Sequence, residues 1–323
     1  MNKKKLIFIF TSSCLLFLLI LLILYLSEKQ VPRHSPSLHE NKKDQISSIQ
    51  LYNLYYLTQA LYLLDDNKKQ IISIKIEDIS TDYLVKRNNP GLLYDIWLFI
   101  QILNEYNVDC PRDTKELLLD FLKDLQSKEG FFRANLSEGT KGNKNSYLLN
   151  TKMALDIFNY FSIRNQKTEI ALRWIKQNVN NIINFENPDF ISDGGFLYNI
   201  MYLENLYELD LLSDTDYFSL IQQLKSIYPD YPDSVEKFDT AINMNDLLDV
   251  NLDTDKKAIE HYLLSTQLKN GAFPLYGNGE NADTLTTYLS IKTMKKLDIK
   301  IAKKGELNEW INSQLDQILK ISM

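Results

Sequence analysis

Two cysteines in 323 residues exclude a disulfide framework: Cys14 sits in an apolar run near the N-terminus and Cys110 far along the chain, so they form no intramolecular pair. Cys110 precedes Pro111 and reads as a small buried hydrophobe. Glycine (10) and proline (8) are scarce, which argues against a β-sandwich built on many tight turns. Histidine is rarer still; His34 and His39 have no Cys or His neighbour to complete a metal site, and His261 stands alone in the body. No metal or other cofactor is expected. Positive charge is also short. The chain carries −6 formally, and Lys3, Lys4 and Lys5 all precede the apolar run, so the remainder is three charges more negative. With no basic stripe interleaved with aromatics, nucleic acid is excluded as a partner.

What is present begins with Leu6–Leu26, an unbroken low-polarity run whose only polar side chains are Thr11, Ser12, Ser13 and Tyr25. Twenty-one residues at about 1.5 Å each cross a hydrocarbon core of about 30 Å. The lysines before it belong on the cytoplasmic side. The expected organisation is a cytoplasmic tail at 1–5, a single-pass transmembrane helix at 6–26 acting as an uncleaved signal-anchor, a polar linker at 27–44 and an extracytoplasmic domain at 45–323. The linker carries Pro32 and Pro36 and reads as a tether.

The domain repeats itself. At an offset of 141, Leu122, Gln126, Lys128, Gly130, Phe132, Tyr147, Leu148 and Met153 match Leu263, Gln267, Lys269, Gly271, Phe273, Tyr288, Leu289 and Met294. Weaker copies start at Pro90 and Asp193, and another falls near Asp239. Each unit reads as a helix ending in Gln, a Gly-bearing turn, an aromatic, a polar loop and a second helix opened near a Tyr. The apolar spacing predicts helices over 91–106, 145–161, 195–209, 239–250 and 283–297. They alternate with helices over 47–64, 113–127, 166–184, 213–228, 255–268 and 305–320. Segment 71–79 alternates and reads as a short strand or extended arm. Paired helices at a period of 40–50 residues indicate an all-α helical repeat, a solenoid or closed toroid.

The Q-x-x-x-G-x-F turns, the polar loop and the Tyr- or Asp-opened second helix resemble the repeats of prenyltransferases and terpene (squalene-type) cyclases, over roughly 90–300. The resemblance implies an α/α toroid of five to six helix pairs. The first helix set would line a central cavity, with N-terminal ends near its mouth. It also implies where chemistry would sit. Cyclases protonate an alkene with the middle Asp of a D-x-D-D motif; the comparable stretch here is Glu236-Lys237-Phe238-Asp239, and a phenyl ring donates no such proton. Zinc prenyltransferases need Asp, Cys and His together, and Cys110 and His261 fall on a loop and on an outer helix.

Glycan-active enzymes on such toroids need two carboxylates across a cavity. Asp95, Asp193, Asp239 and Asp283 recur at or near inner-helix starts, where each is equally a natural N-cap. Tyr94, Trp97, Tyr147, Tyr198 and Tyr288 offer an aromatic lining, or core packing at helical spacing. Asp193-Gly194-Gly195 reads as a turn, and Asn135-Leu136-Ser137 matches a glycosylation sequon. The sequence therefore points to a membrane-anchored toroid that holds a glycan, isoprenoid or protein ligand in a cavity lined by these aspartates and tyrosines. The alternative is a cell-envelope glycan hydrolase or lyase, or an isoprenoid-processing enzyme, acting through inner-helix carboxylates.

Overall fold

The computed structural model describes residues 47–64, 92–136, 144–186, 188–248, 252, 254–277 and 279–322. The chain divides into two units, Met1–Lys42 and Lys43–Met323, and every described residue belongs to the second. The expected anchor, the linker, His34, His39, Cys14, segment 71–79 and Ser137 lie outside the described residues. Among those described, no helix is long and apolar enough to cross a membrane.

The described residues form an all-α body with no strand. In chain order the helices are α1 (Ser48–Leu64), α2 (Leu92–Tyr106), α3 (Arg112–Leu125), α4 (Lys144–Tyr160), α5 (Gln166–Ile182), α6 (Phe190–Tyr207), α7 (Asp214–Ile227), α8 (Val235–Leu248), α9 (Lys256–Thr266), α10 (Thr284–Lys296) and α11 (Lys304–Ser322). Two kinds alternate after α1. In α3 the buried residues are Leu118, Phe121, Leu122 and Leu125, a single stripe, so its other face meets solvent. In α4 they run almost continuously from Tyr147 to Phe158, so that helix is surrounded by protein. Caps fix the starts: Asn165 and Thr168 form a capping box at α5, Ser213 caps α7, Asp255 caps α9 and Asp283 caps α10.

The surrounded helices share one ending. Asn107, Ser162, Glu208 and Asp298 all have positive φ, between 51° and 55°, just past α2, α4, α6 and α10. After each, an N–H reaches back to a carbonyl five residues earlier: Val108 to Leu103, Ile163 to Phe158, Leu209 to Glu204 and Ile299 to Met294. This is the Schellman closure. Neighbouring helices of this set run parallel. Ser48 at the start of α1 donates to Asp95 at the start of α2, and Trp97 and Val108 of α2 meet Asp156 and Tyr160 of α4 in the same sense. Asp239 and Asp246 of α8 meet Lys292 and Lys296 of α10, again in order. α1 packs against α2, α10 and α11, and α8 packs against α6 and α10.

Three sequence expectations are corrected. Helix 47–64 was assigned to the alternating outer set, yet α1 packs between α2 and α10. Its YNLYYLTQALYLL stretch is apolar on every side and gave no polar face to turn outward. Asp193-Gly194-Gly195 is no turn but the first turn of α6, which begins at Phe190 after the cap Asp189. Gly194 is needed there because a Cβ would come within 2.9 Å of the Thr240 methyl and 3.2 Å of Met244 Sδ, where α6 crosses α8.

The third correction concerns the register of the repeat. Its first half matches bond for bond. Gln126 Nε2 donates to the Gly130 carbonyl at 3.2 Å and Gln267 Nε2 to that of Gly271 at 2.8 Å. Gly130 and Gly271 take φ of 116° and 80°. The Phe132 and Phe273 amides each donate to a threonine hydroxyl at 3.0 Å, Thr151 and Thr287. Those pairs are 19 and 14 residues apart, so the first loop is five residues longer. Tyr288 is therefore equivalent to Lys152, and Tyr147 to Asp283; the pairing of Tyr147 with Tyr288 fails because an ungapped comparison carried the first-half offset across a loop of different length.

Candidate functional site

The shared helix ending supplies a ruler. Ten residues ahead of the left-handed position stand Trp97, Lys152, Tyr198 and Tyr288; four residues later stand Gln101, Asp156, Tyr202 and Lys292. On parallel helices these form two levels of one wall. A cavity of about 360 Å³ opens against it. α1 contributes Tyr55 and Tyr56, α2 Trp97, α6 Tyr198 and Asn199, α8 Asp239 and Asn243, and α10 Tyr288 and Lys292. Gly194 and Gly195 also line it; Gly195 leaves open space, since a Cβ there would meet nothing within 4 Å.

The aromatics are in mutual contact. Tyr55 lies 4.9 Å from Tyr56 and 5.8 Å from Trp97, and Tyr56 lies 5.7 Å from Tyr288, ring centre to ring centre. Burial raises the phenol pKa of Tyr55, Tyr56 and Tyr288, and the Asp239 carboxylate raises that of Tyr288 further. All three stay protonated at neutral pH, so each presents a hydroxyl that both donates and accepts. Asp239 is held by Lys292 at 2.7 Å and by the Asn243 amide at 2.8 Å. Its charge is thus matched within the cavity wall.

Behind Trp97 lies a second charged group. Asp156 accepts from the Trp97 indole N–H at 2.9 Å and pairs with Lys152 at 2.7 Å; the pair's side chains are only 5% and 15% exposed. Lys152 also lies over the rings of Trp97 and Tyr202, at 5.5 Å and 4.8 Å. Asp156 Oδ1 is buried without a hydrogen-bond partner. The pair thus fixes Trp97 in place against the cavity.

Of the residues singled out by sequence, Trp97, Tyr198, Asp239 and Tyr288 come together in the cavity. Tyr94 stands just behind it, stacked on Trp97 at 5.9 Å and hydrogen-bonded to Tyr56. Asp95 is buried at the α1–α2 contact, where Ser48 donates to it at 2.6 Å. Asp193 accepts from the Asp189 amide at 2.8 Å while Asp189 caps Ser192, and Asp283 caps Thr286 at 2.7 Å. Tyr147 is stacked on Phe131 at 4.1 Å, away from the cavity lining. Asp239 is not the cap of α8, which begins four residues earlier at Val235. Lys152, Asp156, Lys292, Tyr55 and Tyr56 lie mid-helix, where no cap or helix-opening position marks them in the sequence. The four-residue spacing of Lys152 and Asp156, which puts opposite charges on one helix face, was the available signal.

Phe238, at the place of a cyclase proton donor, is buried against Tyr262 at a ring distance of 5.4 Å. Among the described residues, no three His, Cys, Asp or Glu side chains gather as a metal site would require. No family model, curated protein or solved structure matches the chain.

Proposed function

We propose that this chain is a membrane-anchored, extracytoplasmic α/α-toroid protein that binds a ligand in its central cavity, without cyclase or prenyltransferase chemistry. The anchor rests on the 21-residue apolar run and the lysines before it. The closed ring, and with it the kinship to terpene cyclases, is supported by the packing of α1 on α2, α2 on α4, α6 on α8 and α8 on α10, by the side-chain contacts of α4 with α6 at Lys152–Tyr202 and Leu155–Tyr207, and by the return contact of α10 with α1. The observation that carries the binding reading is the cavity: concave, aromatic, with a few convergent polar groups on four helices and α1. Binding is preferred to hydrolysis because, among the described residues, Asp239 is the only carboxylate in the lining, and its charge is already matched by Lys292.

The test is a thermal-shift screen of the purified protein. A ligand that raises the melting temperature of the wild type should do so less for Tyr288→Ala and Lys292→Met, and unchanged for Tyr276→Ala on an exposed loop. Equal shifts in all four proteins would remove the cavity from the reading. A reporter fused after Met323 should be active outside the cytoplasm; activity inside would overturn the topology.

A further inference from the structure

We infer that the cavity takes an uncharged, hydroxyl-rich ring, a glycan residue, and takes neither an isoprenoid nor an ion. This rests on the cavity-binding reading and narrows it to one ligand class.

The charge balance is the first argument. Asp239 and Lys292 meet at 2.7 Å and cancel. A cationic ligand would face Lys292 and an anionic one Asp239. Either must break the existing pair to gain a new one, so a neutral ligand keeps what the wall already has.

The hydrogen-bond inventory is the second. Asn199, Asn243 and Thr240 join the protonated Tyr55, Tyr56 and Tyr288 in the lining. These groups both donate and accept. A hydrocarbon chain would desolvate them and offer nothing to the hydrogen-bonding capacity they do not use among themselves. Among the described residues, the only aliphatic side chains in the lining are Leu285 and Leu289. A sugar hydroxyl, itself donor and acceptor, satisfies such a set.

Shape is the third. Trp97 is held by the Asp156 acceptor at 2.9 Å, so a flat ring is presented in a fixed orientation. One turn before Tyr198, Gly195 leaves open space beside the α6 backbone. A pyranose has an apolar C–H face to lie against an aromatic ring and an equatorial belt of hydroxyls to meet amides and backbone. The volume, about 360 Å³, is near the lower end of small-molecule sites and admits a short glycan, not a long one.

The experiment is titration calorimetry of the full-length protein in nanodiscs. The probes are N,N′-diacetylchitobiose and cellobiose as neutral glycans, glucosamine and glucuronate as charged sugars, and farnesol as the isoprenoid. At least one neutral disaccharide should bind more tightly than both charged sugars and farnesol. Its affinity should fall about tenfold in Tyr198→Ala and in Asn243→Ala and stay unchanged in Tyr276→Ala. Tyr198 is 38% exposed, so its removal spares the fold even where Asn243→Ala does not. Farnesol or a charged sugar binding more tightly, with the same sensitivity to Tyr198→Ala, would overturn the glycan assignment and leave the cavity reading standing. Binding insensitive to both cavity variants, or no binding by any probe, would overturn both.

Discussion

Gly130 and Gly271 do what no other residue does at their positions. Each takes positive φ, and each meets the backbone of the following outer helix: a Cβ would lie 2.7 Å from the Ile170 carbonyl oxygen or 2.5 Å from the Leu307 amide nitrogen. Gly195 is the contrary case, a helical glycine with open space around it. Gly271→Ala should therefore destabilise the protein by about 1–3 kcal/mol, while Gly195→Ala should stabilise it by about 0.5–1 kcal/mol. Urea midpoints of the two variants check both signs. A second residue-scale effect is electrostatic. Burial pushes the Asp193 carboxyl above its ordinary 3.8, against the opposing pull of the Asp189 and Asn184 amides. A raised carboxyl pKa means the folded state holds the proton more tightly than the unfolded chain. The resulting stabilisation is fully present below 3.8 and is lost as pH rises through the folded value. Wild type should thus gain stability relative to Asp193→Asn as pH is lowered from 7 toward 4. The opposite trend in urea midpoints would mean that the amide bonds outweigh desolvation.

At the scale of elements, the legible and illegible parts separate by burial. Helices such as α3 and α5 carry one apolar stripe, and α5 a capped start as well, so periodicity located them closely. Helices of the other kind, such as α4, bury most of their circumference, and a helix without a wide polar face announces its length but not its orientation. That is why α1 was set among the wrong neighbours, and why the mid-helix residues of the cavity went unseen while the helix-opening aspartates drew notice. α10 shows what enclosure leaves behind. Thr286, Ser290 and Thr293 are buried along it, and none of their hydroxyls has a hydrogen-bond partner. Thr293→Val removes such a hydroxyl and keeps the shape of the side chain. It should raise stability by about 1 kcal/mol, read as a higher urea midpoint at unchanged slope. A loss would show that the hydroxyl is satisfied by ordered water.

At the scale of the whole body, the first described helix is also the one that joins its ends. α1 touches α2, the next described helix, and α10 and α11, the last two described. The Thr284 hydroxyl donates to Asn53 at 2.9 Å across 231 residues of chain. α1 further supplies Tyr55 and Tyr56 to the cavity, and its core residues Leu51, Leu54, Leu57 and Ala60 are fully buried. Removing it would uncover the facing sides of three helices at once and leave Asp95 without its Ser48 donor. A chain beginning at Ser47 should keep the buried contacts of α1 and unfold in one cooperative transition. A chain beginning after Leu64 should lose that transition and expose apolar surface that binds a hydrophobic dye. Circular dichroism melts of the two truncations, with dye binding at room temperature, make the comparison. If the shorter chain melts as sharply and as high as the longer one, α1 is an appendage, and the contacts it makes with α10 and α11 do not hold the body together.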